Sequence, residues 1–239
     1  MRISKISLLA LVILMSVSCV PAEKIVRHDF DSGYYKLKTP GAEPSRVYVN
    51  AINDSIDVYP VITEGKNEYP NTTSFKGISI IKIKKGDYFY RSCFINKSID
   101  VDLTTVIMKY RPPQGGVPNQ LSSNINASIY AGFRKDFYKA IPYLSPLHEE
   151  TSYIRQIGID AGIFAGIGIT PINPTVTRNI VNQEYDGMVF QKGVAAFITF
   201  DNMSVGVAIG FDNLLDNNKT SWVYNQKPYL GLIIGISNF

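Results

Sequence analysis

The stretch Tyr153-Ile154-Arg155-Gln156-Ile157-Gly158-Ile159-Asp160-Ala161-Gly162-Ile163-Phe164-Ala165-Gly166-Ile167-Gly168-Ile169-Thr170 decides how the rest of the chain is read. From Ile157 its odd positions are all apolar, while its even positions run Gln156, Gly158, Asp160, Gly162, Phe164, Gly166, Gly168 and Thr170. Side chains alternate across a strand, so this period of two gives one greasy face and one small or polar face.

Three further segments obey the same rule. In Leu121 to Lys135, the odd positions Leu121 to Phe133 oppose Ser122, Asn124, Asn126, Ser128, Tyr130, Gly132 and Arg134. Ser98 to Tyr110 sets Ile99, Val101, Leu103 and Ile107 against Asp100, Asp102 and Thr104, and Met203 to Phe211 oppose Ser204, Gly206, Ala208, Gly210 and Asp212. A soluble β-sandwich also alternates, but its second face meets water and should be rich in Lys, Glu and Thr. Here that face is mostly Gly, Ala, Ser and Asn, which suits the crowded interior of a narrow barrel. The runs 98–110, 121–135 and 153–170, of 13 to 18 residues, exceed the ~9 to 11 residues that cross a bilayer at a tilt. The expected fold is all-β, an antiparallel transmembrane β-barrel of about eight strands.

Eight strands are predicted at 76–84, 88–95, 98–110, 121–135, 153–170, 188–200, 203–214 and 228–237. An even number puts both chain ends on one side, and closure removes the edges that lipid would not tolerate. Asn96-Lys97, Asp201-Asn202 and Lys85-Gly86-Asp87 read as tight turns, while 111–120, 136–152, 171–187 and 215–227 read as longer loops. In that scheme the tight turn at Asn96-Lys97 falls on the side of the long loops, so one boundary near it must shift.

The first residues carry the three-part layout of a secretory signal: Arg2 and Lys5, the apolar run Ile6 to Met15, then small residues. Ten apolar residues rise only about 15 Å as a helix, half a hydrocarbon core, so residues 1–22 read as a cleaved signal rather than an anchor. Two cuts compete. Ser16-Val17-Ser18-Cys19 resembles a lipoprotein box in which Cys19 is acylated, with Ser16 where Leu is usual; Val20-Pro21-Ala22 is the rival site.

Either cut leaves Cys93 solitary, so no disulfide framework exists, and a lone Cys packs most often as a small hydrophobe. Removing Arg2 and Lys5 lowers the formal charge from +4 to +2, which gives no basis for nucleic-acid binding. Residues 23–73 hold short β-prone runs, 33–37, 46–52 and 55–62, and read as an N-terminal periplasmic segment ending in a linker rich in Asn, Pro and Thr, with the barrel at 74–239.

The last strand adds a resemblance. Tyr229-Leu230-Gly231-Leu232-Ile233-Ile234-Gly235-Ile236, with Phe239 at the end, looks like the C-terminal β-signal of Gram-negative outer-membrane β-barrels, although Phe239 is out of phase with Leu230 to Ile236. The stretch from Gly210 through Trp222 and Tyr224 is similar to the closing hairpin of small, uncharacterised barrels of that family. The resemblance implies an outer-membrane location, contact with outer-membrane lipid, and the barrel-assembly machinery as a partner that reads Tyr229, Gly231, Ile234, Ile236 and Phe239. It implies no particular activity, since such barrels host many.

Chemistry has few footholds. Small barrels of this size include lipid A-modifying enzymes that use a His with a Ser and an acid, and this chain has only His28 and His148. His148, with Ser145 or Ser152 and the neighbouring Glu149 and Glu150, could form such a group, but no spacing enforces it, and a solvated loop histidine is the plainer reading. Two His and no Cys pair argue against a transition-metal site, and no cofactor is expected. Asp100, Asp102, Arg134 and Asp160 fall on the inward face, as an ion-pair network or a polar lining. Tyr153, Trp222, Tyr224 and Tyr229 fit interfacial aromatic girdles. The expected role is non-enzymatic, a structural, adhesion or accessory subunit that binds through the loops 136–152 and 171–187. The alternatives are a lipid A-modifying enzyme and a soluble periplasmic β-sandwich lipoprotein.

Overall fold

The computed structural model describes residues 31–52, 55–74, 76–79, 91–144, 146, 148, 150–200 and 203–236. The signal segment, Cys19, His28 and Phe239 lie outside them. Among the described residues twelve strands join in one antiparallel sheet: β1 (Gly33–Lys38), β2 (Ser45–Ile52), β3 (Ser55–Glu64), β4 (Asn67–Pro70), β5 (Lys76–Ser79), β6 (Cys93–Arg111), β7 (Gln120–Ser122), β8 (Asn126–Leu144), β9 (Glu150–Ile172), β10 (Tyr185–Phe200), β11 (Met203–Leu214) and β12 (Pro228–Ile236).

Six of these, β6, β8, β9, β10, β11 and β12, pair in sequence, and β12 returns to β6, so they close a ring. The row of cross-strand partners Val101, Ala131, Ile163, Val194, Ile209 and Leu230 comes back to β6 at Tyr110, nine residues beyond its start. That stagger is what lets so few strands close, because tilting each strand widens the ring it can form.

The ring has six strands where eight were expected, for two reasons. Lys76–Ser79 pairs with β3 and belongs to the N-terminal strands. The supposed turn at Asn96-Lys97 is absent: β6 runs straight through it, with Asn96 opposite Asp136 and Lys97 opposite Lys135 in an unbroken ladder. The correction also resolves the misplaced turn. The tight connections after Leu144 and Phe200 now lie at the same end as Ile236 and the N-terminal strands, and 112–125, 173–184 and 215–227 join the strands at the other end. The segment 136–152, expected to be a long loop, is instead the paired ends of β8 and β9, Leu144 facing Glu150.

Nor is residue 73 a break in the sheet. The expected linker contains β4, and β1 pairs with β6 through Lys36–Ile95, Leu37–Phe94 and Lys38–Cys93, on the edge that β12 leaves free. Tyr35, Leu37, Val47, Val49 and Val58 pack with Phe94 and Tyr138 as one buried cluster, so the N-terminal strands share a core with that end of the ring.

Inside the ring a second cluster, Val106, Tyr130, Phe164, Phe197, Tyr229 and Ile233 among it, forms a waist in which Tyr130 and Phe197 meet edge to face at 4.9 Å. Small residues make room for it. A Cβ on Gly162 would press into the backbone of Ala131, including its carbonyl carbon at 2.8 Å, and onto Cα of Gly132. Gly162→Ala is therefore expected to cost about 1–3 kcal/mol, as overpacking does. The shift of the urea midpoint in detergent measures it, and a shift of zero would mean that β8 and β9 separate freely there.

Candidate functional site

The register of β6 changes once. Leu232 faces Met108 but Ile233 faces Val106, so Ile107 is a bulged extra residue. Before the bulge the inward positions are Asp102, Thr104 and Val106; after it they are Lys109 and Arg111. Asn126 holds the irregular spot like a piece of backbone: its Oδ1 accepts from Val106 N and its Nδ2 donates to Val106 O, both at 2.7 Å. Gln191 Nε2 in turn donates to Asn126 Oδ1 at 3.1 Å and to Ser128 Oγ.

The bulge builds a buried charge cluster under the long loops. Lys109 Nζ donates to Asp212 Oδ1 at 2.9 Å and Oδ2 at 3.1 Å, and Arg111 Nη2 donates to Asp212 Oδ2. Lys109 is 2% exposed and Asp212 1%. Arg111 Nη1 also donates to Ser122 Oγ at 2.7 Å, and the guanidinium lies 5.6, 5.7 and 5.9 Å from the rings of Trp222, Tyr224 and Tyr229. Lys109 Nζ stands 4.6 Å from the Tyr229 ring.

Trp222, Tyr224 and Tyr229 are thus buried, which corrects their assignment to outward girdles. The buried cations draw the rings inward: a desolvated cation gains from an aromatic face. Trp222 and Tyr224 also anchor a cluster with Val117, Ile172, Val176, Val189 and Leu214 that fastens the three loops together. Val223 N donates to Val176 O at 3.0 Å and Tyr224 OH to Pro118 O at 3.0 Å. Burial raises the Tyr224 phenol above its ordinary pKa, and nearby Arg111 opposes the shift. Tyr153 lies in β9 opposite Ile141.

The four predicted interior charges come together toward the other end. Arg134 Nε donates to Asp136 Oδ1 at 3.0 Å, and its Nη1 is 3.7 Å from Asp100 Oδ1. Tyr130 OH donates to Asp160 Oδ1 at 2.6 Å, and Gln156 Nε2 donates to Asp136 Oδ1 at 3.0 Å. Asp102 is buried close by. Asp136, Tyr130 and Gln156 are the members that sequence reasoning missed, although Tyr130 and Gln156 fall on the face it reads as inward. In the adjoining N-terminal strands burial pushes the Tyr35 phenol up, and the carboxylates of Asp31 and Asp136 add to it.

Neither cluster contains a histidine or a cysteine. His148 is exposed, with φ of 58°, at the tip between β8 and β9. That tip lies at the end of the ring opposite the three long loops. Among the described residues no group of His, Cys, Asp and Glu has the arrangement to hold a metal ion. Cys93 is half-buried and unbridged.

The outer wall is the reverse of the interior. Ile99, Val101, Leu103, Ile129, Phe133, Ile159, Ile163, Val194, Ile198, Val207 and Leu230 are all exposed, Phe133 at 79% and Ile163 at 65%. A shallow concavity of about 790 Å³ crosses this wall, floored by small residues such as Ala161 and Ala196 and walled by Ile163, Leu230 and Tyr110. β12, which carries Tyr229, Gly231, Ile234 and Ile236, completes the wall by pairing with both β11 and β6. Comparison with protein-family models, curated proteins and solved structures finds no match for this chain.

Proposed function

We propose that the chain is an integral outer-membrane protein, a six-stranded transmembrane barrel without catalytic activity that presents its three tied loops outside the cell and its N-terminal strands to the periplasm. The observation that carries this reading is the apolar outer wall, broken on β10 by Lys192, around an interior that holds the buried charges. Soluble monomers rarely expose contiguous apolar patches beyond a few hundred Å². Here apolar side chains face outward on all six strands. On β9 they run from Ile157 to Ile169. At ~3.3 Å per residue and a tilt of ~45°, that run stands roughly 28 Å tall, which matches a hydrocarbon core.

An even strand number that brings Cys93 and Ile236, the first and last residues of the ring strands, to one end suits such a protein. The interior is filled by the aromatic waist, so the role falls to the loops rather than to a pore. The concavity over Ala161 and Ala196 suits an acyl chain of the surrounding lipid. Closure by β12 suits its proposed part as the strand read by the assembly machinery.

The test is heat-modifiability together with extraction. Detergent-solubilised protein run unboiled is expected to migrate faster than the boiled sample, and carbonate washing is expected to leave it in the membrane fraction. A single band and release by carbonate would replace this reading with a soluble lipoprotein.

A further inference from the structure

Where β1 joins β6, the outer face carries a basic groove that the loop-centred role does not use. A concavity of about 550 Å³ is lined by Lys36, Lys38, Arg46, Lys97, Lys135 and Tyr34, among others. The register forces these charges together: Lys97 is the direct cross-strand partner of Lys135, Lys36 of Arg46, and Lys38, Cys93 and Lys139 follow one another in a row. Like charges directly opposite destabilise a sheet. Arg46 is neutralised by a described residue, Glu68 at 2.9 Å. Lys36, Lys38, Lys97 and Lys135 form no ion pair with a described residue.

The groove also has a definite height. Lys97 and Lys135 sit one step beyond Ile99 and Phe133 on the same outward face, so the apolar wall ends in a pair of ammonium groups at the end of the ring where β1 joins β6. Across β9, β10 and β11 the same row stays apolar, with Ile159, Ile198 and Val205. The basic charge is therefore local to one side of the rim. It is not a general feature of that rim.

We propose that this groove binds a phosphate group, presented by an anionic phospholipid whose acyl chains lie against the adjoining apolar wall. The proposal rests on the membrane reading above. Lysine ammoniums at a membrane surface attract anionic headgroups. Here at least four converge on one concavity, which distinguishes a seat for one headgroup from diffuse attraction.

The experiment titrates the full-length protein, folded in zwitterionic micelles, with short-chain phosphatidylglycerol and separately with inorganic phosphate. Lys97→Gln/Lys135→Gln is the test variant. Lys192→Gln, at an exposed lysine elsewhere on the outer wall, is the control, and the unboiled gel band shows that each variant is folded. Saturable phosphatidylglycerol binding that weakens on the order of tenfold in the double variant and not in the control supports the proposal. Tighter binding of inorganic phosphate than of phosphatidylglycerol would keep the phosphate site but assign it to a free anion. Binding that is absent, or equal in all three proteins, overturns it. Failure of the membrane reading looks different: the protein would leave the membrane in carbonate, whatever the titration gives.

Discussion

Ile163→Arg is expected to cost about 2–4 kcal/mol of folding stability in a bilayer, because on the proposed membrane reading the substitution puts a cation at mid-height on a lipid-facing wall, where lipid can neither hydrate nor pair it. Ile163 is 65% exposed, and its row partners Ala131 and Val194 face outward beside it. No neighbouring acid is placed to answer the charge. Urea titration of the protein folded into phosphatidylcholine vesicles reads the loss as a lowered midpoint. Ile180→Arg is the reference, since Ile180 is equally exposed but sits on a loop at the far end, and its midpoint is expected to stay within about 0.5 kcal/mol. If both variants behave alike and Ile163→Arg dissolves without detergent, water faces the wall and the membrane reading is lost.

The alternation that exposes Ile163 was legible from the start, because period two survives wherever one face is buried and the other is not. β9, β10 and β11 stand close to where that pattern puts them. The errors lie where local chemistry and the ladder disagree. Asn96-Lys97 has the composition of a turn, yet Asn96 Oδ1 merely accepts from Lys97 N at 2.8 Å while β6 continues against β8. A turn propensity is weak beside a run of cross-strand hydrogen bonds. Likewise 136–144 reads as part of a longer loop, yet β8 continues through it against β9, with inward Asp136 met by Arg134 on its own strand and by Gln156 on β9.

The bulge at Ile107 is the deeper case. With odd positions outward along β6, Lys109 and Arg111 should face outward and Met108 the interior; one extra residue exchanges them. The sequence held one clue, Asp212 on an inward face with no cation assigned to it. A buried carboxylate demands a partner, and only a shift of parity in β6 supplies it. The same clue bears on Trp222, Tyr224 and Tyr229, which read as interfacial aromatics as long as Arg111 belongs to the loop 111–120 rather than to an inward face of β6.

Asp212→Ala is accordingly expected to be the most damaging single change in the interior, at about 3–5 kcal/mol, since it strands two cations in a ring that keeps water out. Lys109 loses both of its carboxylate contacts and Arg111 keeps only Ser122 and the aromatic faces. The control is to remove the charges together. Lys109→Met/Arg111→Met/Asp212→Leu should recover most of the lost stability, because a buried ion pair repays little more than its own desolvation. The two variants separate what the cluster contributes to stability from what it contributes to register. If the triple variant is stable but its loops become sensitive to protease, the charges serve to hold the bulge and the Trp222–Tyr224 cover in place. If Asp212→Ala shifts the urea midpoint by less than about 1 kcal/mol, water reaches Lys109 beneath the loops, and the interior at that end is open rather than sealed.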